Sequence, residues 1–523
     1  VGLNGENSNN EKHGNIDIGK NSVGLYIINN ATVAKNYGDI TAGTASDPKT
    51  GAVGIFADKG VGIENHGNIT LYGDGVVGIA GTKTDKITNY GTVSVTGTGA
   101  IGIYTALNTI VDNQGTIDVS GANGVGIIAP SGKIINSGTI IFSNGAVGIQ
   151  ESNQYPLPEL INAGIIRVNG HFDNIGMNIS IKPDLSTMHR SVVDGVDFVM
   201  SSGSISANSI TITDTVKILP DFSQGTNAKV YKLEDVFITG NISSPTNKLP
   251  VVSKSLTWDA TPNINDITGN IDVYMQKIDY HNFTEGLWID SFGISLDNNY
   301  FDSTGDAGKI YDKLDLIEDE SEFRRVMGSL AGNVYANMNQ REETIAEVLG
   351  TSLNLLQDSK NNTKENVKVN IIAGKGTLSE NTDGVVGYDY ETTGVLALRE
   401  VERTYKHTFG YSLGYLHSNF EFKDGNNSEE DADTIQLGAH SKYRSNDWVL
   451  RNDLTGRVSI HNIDRNMDWS NTDISKMNGM YEAYSITSDN NLGRELSLGK
   501  NASITPYGGL EATYMIRPTF SES

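Results

Sequence analysis

Apolar and polar positions repeat with a fixed period through the first third of the chain. The tripeptide (Val/Ile)-Gly-(Ile/Leu/Met) begins at Val1, Val23, Val53, Val77, Ile101, Val125, Val147 and Ile175, and its middle copies are spaced by 24, 24, 24 and 22 residues. A second signature, Asn-x-Gly, keeps step with it at Asn36, Asn65, Asn89, Asn113, Asn136 and Asn162, with Lys12 at the equivalent place in the first copy. This repeat predicts one structural unit per copy.

Two residues after each of these glycines stands a pair of apolar residues at period two, which predicts a half-buried strand. The pairs are Ile16/Ile18, Ile40/Ala42, Ile69/Leu71, Val93/Val95, Ile117/Val119, Ile140/Phe142 and Ile166/Val168. A unit of about 24 residues cannot bury such a face alone, so copies stacked about 4.8 Å apart are expected. The pattern predicts a parallel β-helix whose asparagines form a structural ladder.

Two features of the repeat are candidate contact surfaces. The glycines inside the tripeptides predict a smooth outer strip, on which either a ligand or a neighbouring loop could pack. The insertions Thr44–Thr50 and Gln150–Pro158 are the preferred contact loops, because loops on rigid scaffolds often carry recognition. The outward positions between the apolar pairs carry no repeated charge or aromatic stripe.

From about Lys182 the repeat fades, and irregular strands are expected at Ser204–Thr213, Val216–Leu219, Lys229–Leu233 and Asn270–Met275. A β-helix needs its open end covered, so this region is predicted to cap it. A charged stretch, Asp306–Asp319, then precedes a helical pattern over Glu322–Asp358. Its apolar positions have spacings of three and four at Ile345, Val348, Leu349, Ser352, Leu353 and Leu356.

After Asn361 the period returns to two, in longer strands. In Thr408–Phe420, apolar and aromatic residues alternate with small and polar ones, as expected for lipid on one side and a hydrated lumen on the other. A soluble sandwich could show the same alternation, but strand lengths near ten residues and aromatic strand ends favour a barrel. The other predicted strands are Val367–Gly374, Val385–Leu398, Thr434–Tyr443, Trp448–Ile460, Tyr481–Leu492 and Ser503–Tyr514.

Composition sharpens this interpretation. The net charge of −24 argues against nucleic acid as a partner. The sequence contains no apolar run of 18 or more residues, so no membrane-spanning helix is expected. The absence of cysteine is neutral. Because the chain begins at Val1 rather than Met, and about seven strands cannot close a barrel of even number, a fragment is expected.

Catalytic chemistry is not indicated by the motifs. The sequence has no Gly-x-Ser-x-Gly, Walker loop or His-Glu-x-x-His, and its histidines lack ligand spacing. The expectation is therefore no catalytic, cofactor-binding or metal-binding residue. The Asp-rich segment Asp297–Asp306 is interpreted as a solvated loop, with a calcium loop as the alternative.

With these parts in order, three segments carry a family resemblance. Ser329-Leu-Ala-Gly-Asn-Val-Tyr-Ala336 resembles the segment that leads into the pore helix of the type V autotransporters, with Ala331 and Asn333 departing from the family's Ser and Glu. Gly387-Tyr-Asp-Tyr-Glu-Thr-Thr-Gly394 is similar to an early barrel strand, and Ile504–Leu510 with Phe520-Ser-Glu522 to a late strand and its turn. The chain is identified as a member of this family (type Va), and its Asn-rich rungs look most like the large fusobacterial adhesins.

The resemblance implies an all-β protein with a right-handed parallel β-helix passenger, a capping junction, a linker α-helix and a truncated antiparallel outer-membrane β-barrel. The implied domains are the passenger repeats (residues 1–181), a junction similar to an autochaperone (182–303), the helical linker that threads the barrel (304–361) and the incomplete barrel (362–523). The implied function is a surface adhesin of the outer membrane, associated with virulence. Its implied partners are outer-membrane lipid, the barrel-assembly machinery, and host-cell or bacterial receptors (glycan or protein).

Two further questions stay open from the sequence. The same chain could instead be the carrier and translocator for an upstream secreted protease or esterase. Some members of the family cut themselves inside the helix at paired asparagines, whereas here Met338 separates Asn337 from Asn339. The passenger is therefore expected to remain attached.

Overall fold

The computed structural model describes residues 3–522 except 7–9, 29–32, 59–61, 107, 131, 147, 151–157, 221–227, 247, 362, 380–381, 470–473 and 499–501. The chain divides into two compact units. The first unit is Val1–Asn282 with Ser295–Glu320, and the second is Phe283–Ile294 with Ser321–Ser523. Most of the predicted loop Gln150–Pro158, and the tripeptide starts at Val1 and Val147, lie outside the described residues.

The first unit is built on three sheets, A, B and C. Each successive rung of the repeat adds one strand to each sheet. Sheet A comprises Leu3–Glu6, Val23–Ile28, Val53–Ala57, Val77–Gly81, Ile101–Thr105, Val125–Ile128 and Ile149–Gln150. Sheet B comprises Asn10–Lys12, Val33–Asn36, Gly62–Asn65, Lys86–Asn89, Ile110–Asn113, Lys133–Asn136, Glu159–Asn162, Asn178–Ile181, Val216–Ile218 and Val251–Ser253. Sheet C begins with Ile16–Asp17, Ile40–Ala42, Asn68–Tyr72, Thr92–Thr96, Thr116–Ser120, Thr139–Ser143 and Ile165–Asp173.

These strands pair in parallel and in the register that the repeat predicts. Val77 lies opposite Ile101, which in turn lies opposite Val125. In the central rungs, the third residue of the tripeptide and the apolar pairs of sheet C point into one continuous core, where Ile79 and Val93 are fully buried. The predicted parallel β-helix is confirmed.

The prediction of a smooth glycine strip on the outer surface is wrong. A Cβ atom placed on Gly78 would lie 2.3 Å from Cγ1 of Val93 in sheet C and 2.6 Å from the carbonyl oxygen of Gly102. The tripeptide glycines from Gly24 to Gly126 therefore face inward, where sheet A approaches sheet C too closely for a side chain. The outward positions of sheet A are taken by the neighbouring residues, such as Tyr26 and Phe56.

Beyond residue 182, sheet C becomes irregular and mixes parallel with antiparallel pairs. Larger side chains than those of the repeats fill this end of the core, with Tyr231 lying against Phe198 and Trp258. The strands are Pro183–Arg190, Phe198–Ser202, Ser204–Thr211, Val230–Ile238, Ile242–Ser243, Trp258–Ile264 and Ile271–Lys277. All four strands predicted here are present, with shifted ends.

The helices are α1 (Asp290–Asn299), α2 (Gly305–Leu314), α3 (Glu320–Leu330) and α4 (Met338–Asp358), with 3-10 turns at Tyr280–Phe283 and Asn333–Tyr335. The stretch Glu322–Asp358, predicted as helical, is thus interrupted. Gly332 adopts the left-handed conformation (φ 76°), which ends α3. The predicted loop Asp297–Asp306 is also partly helical, because α1 continues through Asn299.

The second unit contains a seven-stranded antiparallel sheet in which each strand pairs with the next along the chain. The barrel strands, numbered first to seventh, are Glu365–Leu378, Tyr388–Thr404, His407–Phe422, Glu429–Ser445, Trp448–Asp468, Ile474–Arg494 and Tyr507–Ile516. Most are longer than predicted. The predicted strand Ser503–Tyr514 is split, and Ser503–Ile504 pairs instead with Leu496–Ser497, since Pro506 cannot donate to a ladder.

The alternation in the third barrel strand is as predicted. Tyr411, Leu413 and Tyr415 are exposed on one face, while the intervening Ser412 and Gly414 are buried on the other. Among the described residues, no helix combines the length and hydrophobicity needed to cross a bilayer.

Candidate functional site

Helix α4 lies against the inner face of the barrel sheet. Its apolar residues Ile345, Leu349 and Leu353 are buried in one cluster with side chains that alternate inward on the barrel strands, among them Leu396 and Leu416. The spacing of three and four therefore serves to dock the helix on the sheet. Other inward positions are polar, and their contacts fix how the helix is held.

The amino-terminal half of α4 carries Arg341, whose side chain is fully buried. Its Nε and Nη2 donate to the two carboxylate oxygens of Glu430 on the fourth barrel strand, at 2.9 and 3.0 Å. Nη1 donates to the carbonyl oxygen of Val334, 3.0 Å away, and to Oδ1 of Asn337. A buried guanidinium is tolerated only when its donors are satisfied in this way, so the pair fixes the position of α4 on the sheet.

His461 on the fifth barrel strand extends this network. Its Nδ1 lies 2.8 Å from Oε1 of Glu430, and its Nε2 lies 2.6 Å from Oε1 of Glu342 on α4. The ring stacks on Tyr481, whose hydroxyl donates to Glu430. Because both ring nitrogens face carboxylate oxygens, both carry protons when the two carboxylates are ionised. The cluster then balances two cations against two anions.

The carboxy-terminal half of α4 is held by a second cluster. Nε2 of Gln357 donates to Oδ1 of Asp453, which also lies 2.8 Å from Nδ1 of His440. Nε2 of His440 lies 2.8 Å from the hydroxyl of Ser412. Ser412, His440 and Asp453 are thus hydrogen-bonded in the same order as the serine, histidine and aspartate of a catalytic triad.

The arrangement is nevertheless unsuited to catalysis. The Ser412–His440–Asp453 side chains are nearly fully buried beneath α4. The backbone around Ser412 is engaged in its two strand ladders, through pairing with Leu398 and Gly438, so it offers no amides to hold an oxyanion. The geometry therefore favours a hydrogen-bond relay that fixes Gln357.

The end of α4 is capped by a cation. Nζ of Lys368, on the first barrel strand, donates to the carbonyl oxygens of Leu356 (2.8 Å) and Ser359 (2.9 Å) and lies 2.7 Å from Glu400. A positive charge here satisfies orphan carbonyls and complements the helix dipole. Both ends of α4 are thus bound to the barrel wall.

In the first unit, the asparagines of the repeat form a continuous buried chain. Nδ2 of each donates to Oδ1 of the next at 2.7–2.8 Å, from Asn36 through Asn162, which donates to the carbonyl oxygen of Ser204. Lys12 takes the preceding place, and its Nζ donates to the carbonyl oxygen of Asp39. The predicted structural ladder is confirmed.

A second ladder, missed in the sequence, runs beside the first on the surface. It consists of His13, Tyr37, His66 and Tyr90, the residues that follow the first four ladder positions. Hereafter it is called the His–Tyr ladder. The rings stack with centroids 4.5–4.7 Å apart and planes within 13° of parallel. Tabulating the variable position of Asn-x-Gly could have revealed it.

Charged side chains border the His–Tyr ladder. Glu64 lies 3.3 Å from Nε2 of His66 and 3.4 Å from Nζ of Lys35, and Glu11 lies beside His13. These contacts hold the imidazoles in the stack while the ring edges stay open, with Tyr37 39% and Tyr90 44% exposed. The arrangement presents rigid aromatic and polar groups at every rung from the first to the fourth.

The irregular region beyond residue 182 contains a buried lysine. Nζ of Lys277 lies 3.2 Å from Oδ1 of Asp315 and 3.7 Å from the ring centre of Tyr280, whose hydroxyl donates to the same carboxylate. Burial lowers the pKa of Lys277, and the Asp315 carboxylate opposes that effect. Burial likewise raises the pKa of Tyr280. All groups are satisfied internally, which is typical of a structural tie between the strands and α2.

Neither ladder nor cluster forms a metal site. Across the described parts of both units, no group of three His, Asp or Glu side chains is placed to hold an ion. Asp297, considered for a calcium loop, instead accepts the backbone N–H groups of Tyr280 and His281 at 2.8 and 2.9 Å.

Two family models match parts of the chain. Residues 367–523 match the family model described as the autotransporter beta-domain, and residues 194–279 match the one described as the BigA beta sandwich domain. A Salmonella typhimurium protein described as the surface-exposed virulence protein BigA is 24% identical over 336 residues, which is 62% of this chain. The chain spans 16% of the length of that relative.

Among solved structures, the translocator domain of the autotransporter NalP from Neisseria meningitidis is 18% identical, with a TM-score of 0.31, over 36% of this chain and 64% of that one. The matched residues 367–523 include nearly the whole seven-stranded sheet, and the β-helix precedes them in the order expected of a passenger. The chain is a type V autotransporter, with an outer-membrane β-barrel domain and a β-helical passenger at the cell surface.

Proposed function

We propose that this autotransporter is an adhesin, whose barrel anchors and exports a passenger that presents binding sites for receptors on host or bacterial cells. The observation that carries the proposal is the exposed His–Tyr ladder. Tyrosine contributes a large, rigid contact area at low entropic cost, which is why it is enriched where proteins recognise their partners.

The surroundings of the ladder support this role. Asn68 donates to Asp39, and the backbone N–H of Asp39 donates to Asn15, so a row of bonded polar residues follows the ring positions along the chain. Polar groups at fixed positions beside aromatic anchors suit either a glycan or a protein receptor. The BigA relative is described as surface-exposed and associated with virulence, which agrees with a role in contact between cells.

A non-enzymatic role agrees with the chemistry of the described residues. The Ser–His–Asp relay lies under α4 and lacks oxyanion donors, and the buried Lys277 is engaged by Asp315. No feature of the described residues favours the alternative of a carrier for a protease or esterase.

The test is adhesion of bacteria that display the full-length protein. The double variant Tyr37→Ala/Tyr90→Ala removes two ladder rings without touching the core, and it is expected to lower adhesion about tenfold or more, as loss of interface anchors does. The matched control is Tyr104→Ala, because Tyr104 is also 39% exposed but lies on sheet A. Equal adhesion by both variants would remove the ladder from the proposal. Hydrolase activity without any adhesion would contradict the proposed function itself.

A further inference from the structure

An arginine stands on the face of the barrel that contacts lipid. In the second barrel strand, Leu396 and Leu398 are buried toward α4, so the alternating residues Ala397 and Arg399 face the other way. Arg399 pairs across the sheet with Tyr411, which belongs to the exposed aromatic row of the third strand. A cation on the lipid face is costly and needs a compensating partner.

The partners present compensate it only in part. Nη1 of Arg399 donates to the hydroxyl of Tyr411 at 2.6 Å, and Nη2 lies 3.3 Å from Glu365. The Arg399 side chain remains 45% exposed and that of Glu365 66% exposed, so this ion pair is weak. A guanidinium has five N–H donors, and two are used here among the described residues. The others are available to a further acceptor.

Beside Arg399, the same face has a hollow of about 310 Å³. Its walls include Val367, Leu413 and Leu437, and the small side chain of Ala397 leaves space between them. Arg399 is the one charged residue in its lining, and Tyr411 stands next to it. The hollow thus combines an apolar surface with a cation and a hydroxyl at one side.

We propose that this hollow binds one phospholipid of the bilayer, with an acyl chain against Val367, Leu413 and Leu437 and the phosphate on Arg399. The planar guanidinium matches phosphate oxygens in a bidentate manner, and the Tyr411 hydroxyl orients it. The long arginine side chain reaches from the apolar face toward the headgroup level. Glu365 is displaced or shared when the phosphate binds.

The test uses the full-length protein extracted from outer membranes in mild detergent, with retained phospholipid measured by native mass spectrometry. Wild-type protein is expected to keep one phospholipid per chain. Arg399→Ala, which removes the phosphate contact, and Ala397→Phe, which fills the hollow, are each expected to lower its occupancy about tenfold. Heat-dependent gel migration establishes that each variant has a folded barrel.

The matched control is Arg444→Ala, since Arg444 is similarly exposed (55%) but lies outside the hollow. It is expected to retain the lipid. Wild-type occupancy in Arg399→Ala, or equal loss in Arg399→Ala and Arg444→Ala, would overturn the proposal in favour of bulk lipid contacts. Displacement of the lipid by inorganic phosphate alone would also overturn it, because the site would then recognise a free anion.

Discussion

At the scale of single residues, the asparagine ladder depends on a side chain that both donates and accepts. Asn89 accepts from Asn65 and donates to Asn113, each at 2.8 Å in a fully buried position. Asn89→Ala leaves a buried donor and a buried acceptor without partners, so we expect it to lower the free energy of unfolding by about 2–4 kcal/mol. The measurement is denaturant unfolding of the protein.

The control for that substitution is Asn68→Ala in the adjoining strand of the preceding rung. Asn68 is exposed and bonds to Asp39 at the surface, so its removal is expected to change the free energy of unfolding by less than about 0.5 kcal/mol. Similar losses for the two variants would show that the ladder contributes nothing beyond an ordinary surface contact.

Single residues also mark what the sequence could and could not predict. The periodic apolar residues determine register because a one-residue shift would expose the whole core face, and Val77, Ile101 and Val125 align as expected. The direction of Gly78 could not be predicted, since it depends on how closely sheet A approaches sheet C. The His–Tyr ladder had a visible signal at the variable position of Asn-x-Gly.

At the scale of elements, some properties of α4 were predictable from the sequence and others were not. Its apolar spacing predicted a helix with an apolar face. The residue at which α4 starts was not predicted, because Ser329, Ala331 and Ala336 are all compatible with a continuing helix. The interruption comes from the left-handed Gly332. The polar partners Glu430 and His461 were not predictable either, since every inward position of a barrel strand can be polar.

The Arg341–Glu430 pair should govern how firmly α4 is seated. Glu430→Gln leaves the buried guanidinium without its carboxylate, and we expect this to weaken docking by about 3–5 kcal/mol. The measurement is ion conductance of the protein in planar bilayers, where a mobile helix should give frequent openings. Replacing both partners, in Arg341→Met/Glu430→Met, should restore the low conductance of the wild type because neither charge of the pair is left without its partner.

The control for this experiment is Glu421→Gln on the third barrel strand, where the side chain is exposed. It is expected to conduct as the wild type does. Conductance in Glu430→Gln that matches this control would show that the apolar face of α4 holds the helix without the ion pair.

At the scale of the whole molecule, the open question is whether the passenger stays joined to the barrel domain. Self-cleavage at an asparagine requires its side-chain nitrogen to attack its own backbone carbonyl. Here Nδ2 of Asn337 donates to the carbonyl oxygen of Val386, and its Oδ1 accepts from Arg341, in a buried position. The side chain is thus held away from the attacking geometry, and we predict that the full-length protein remains one covalent chain at the cell surface. Intact mass measurement on outer membranes checks this, and a released passenger ending at Asn337 would contradict it.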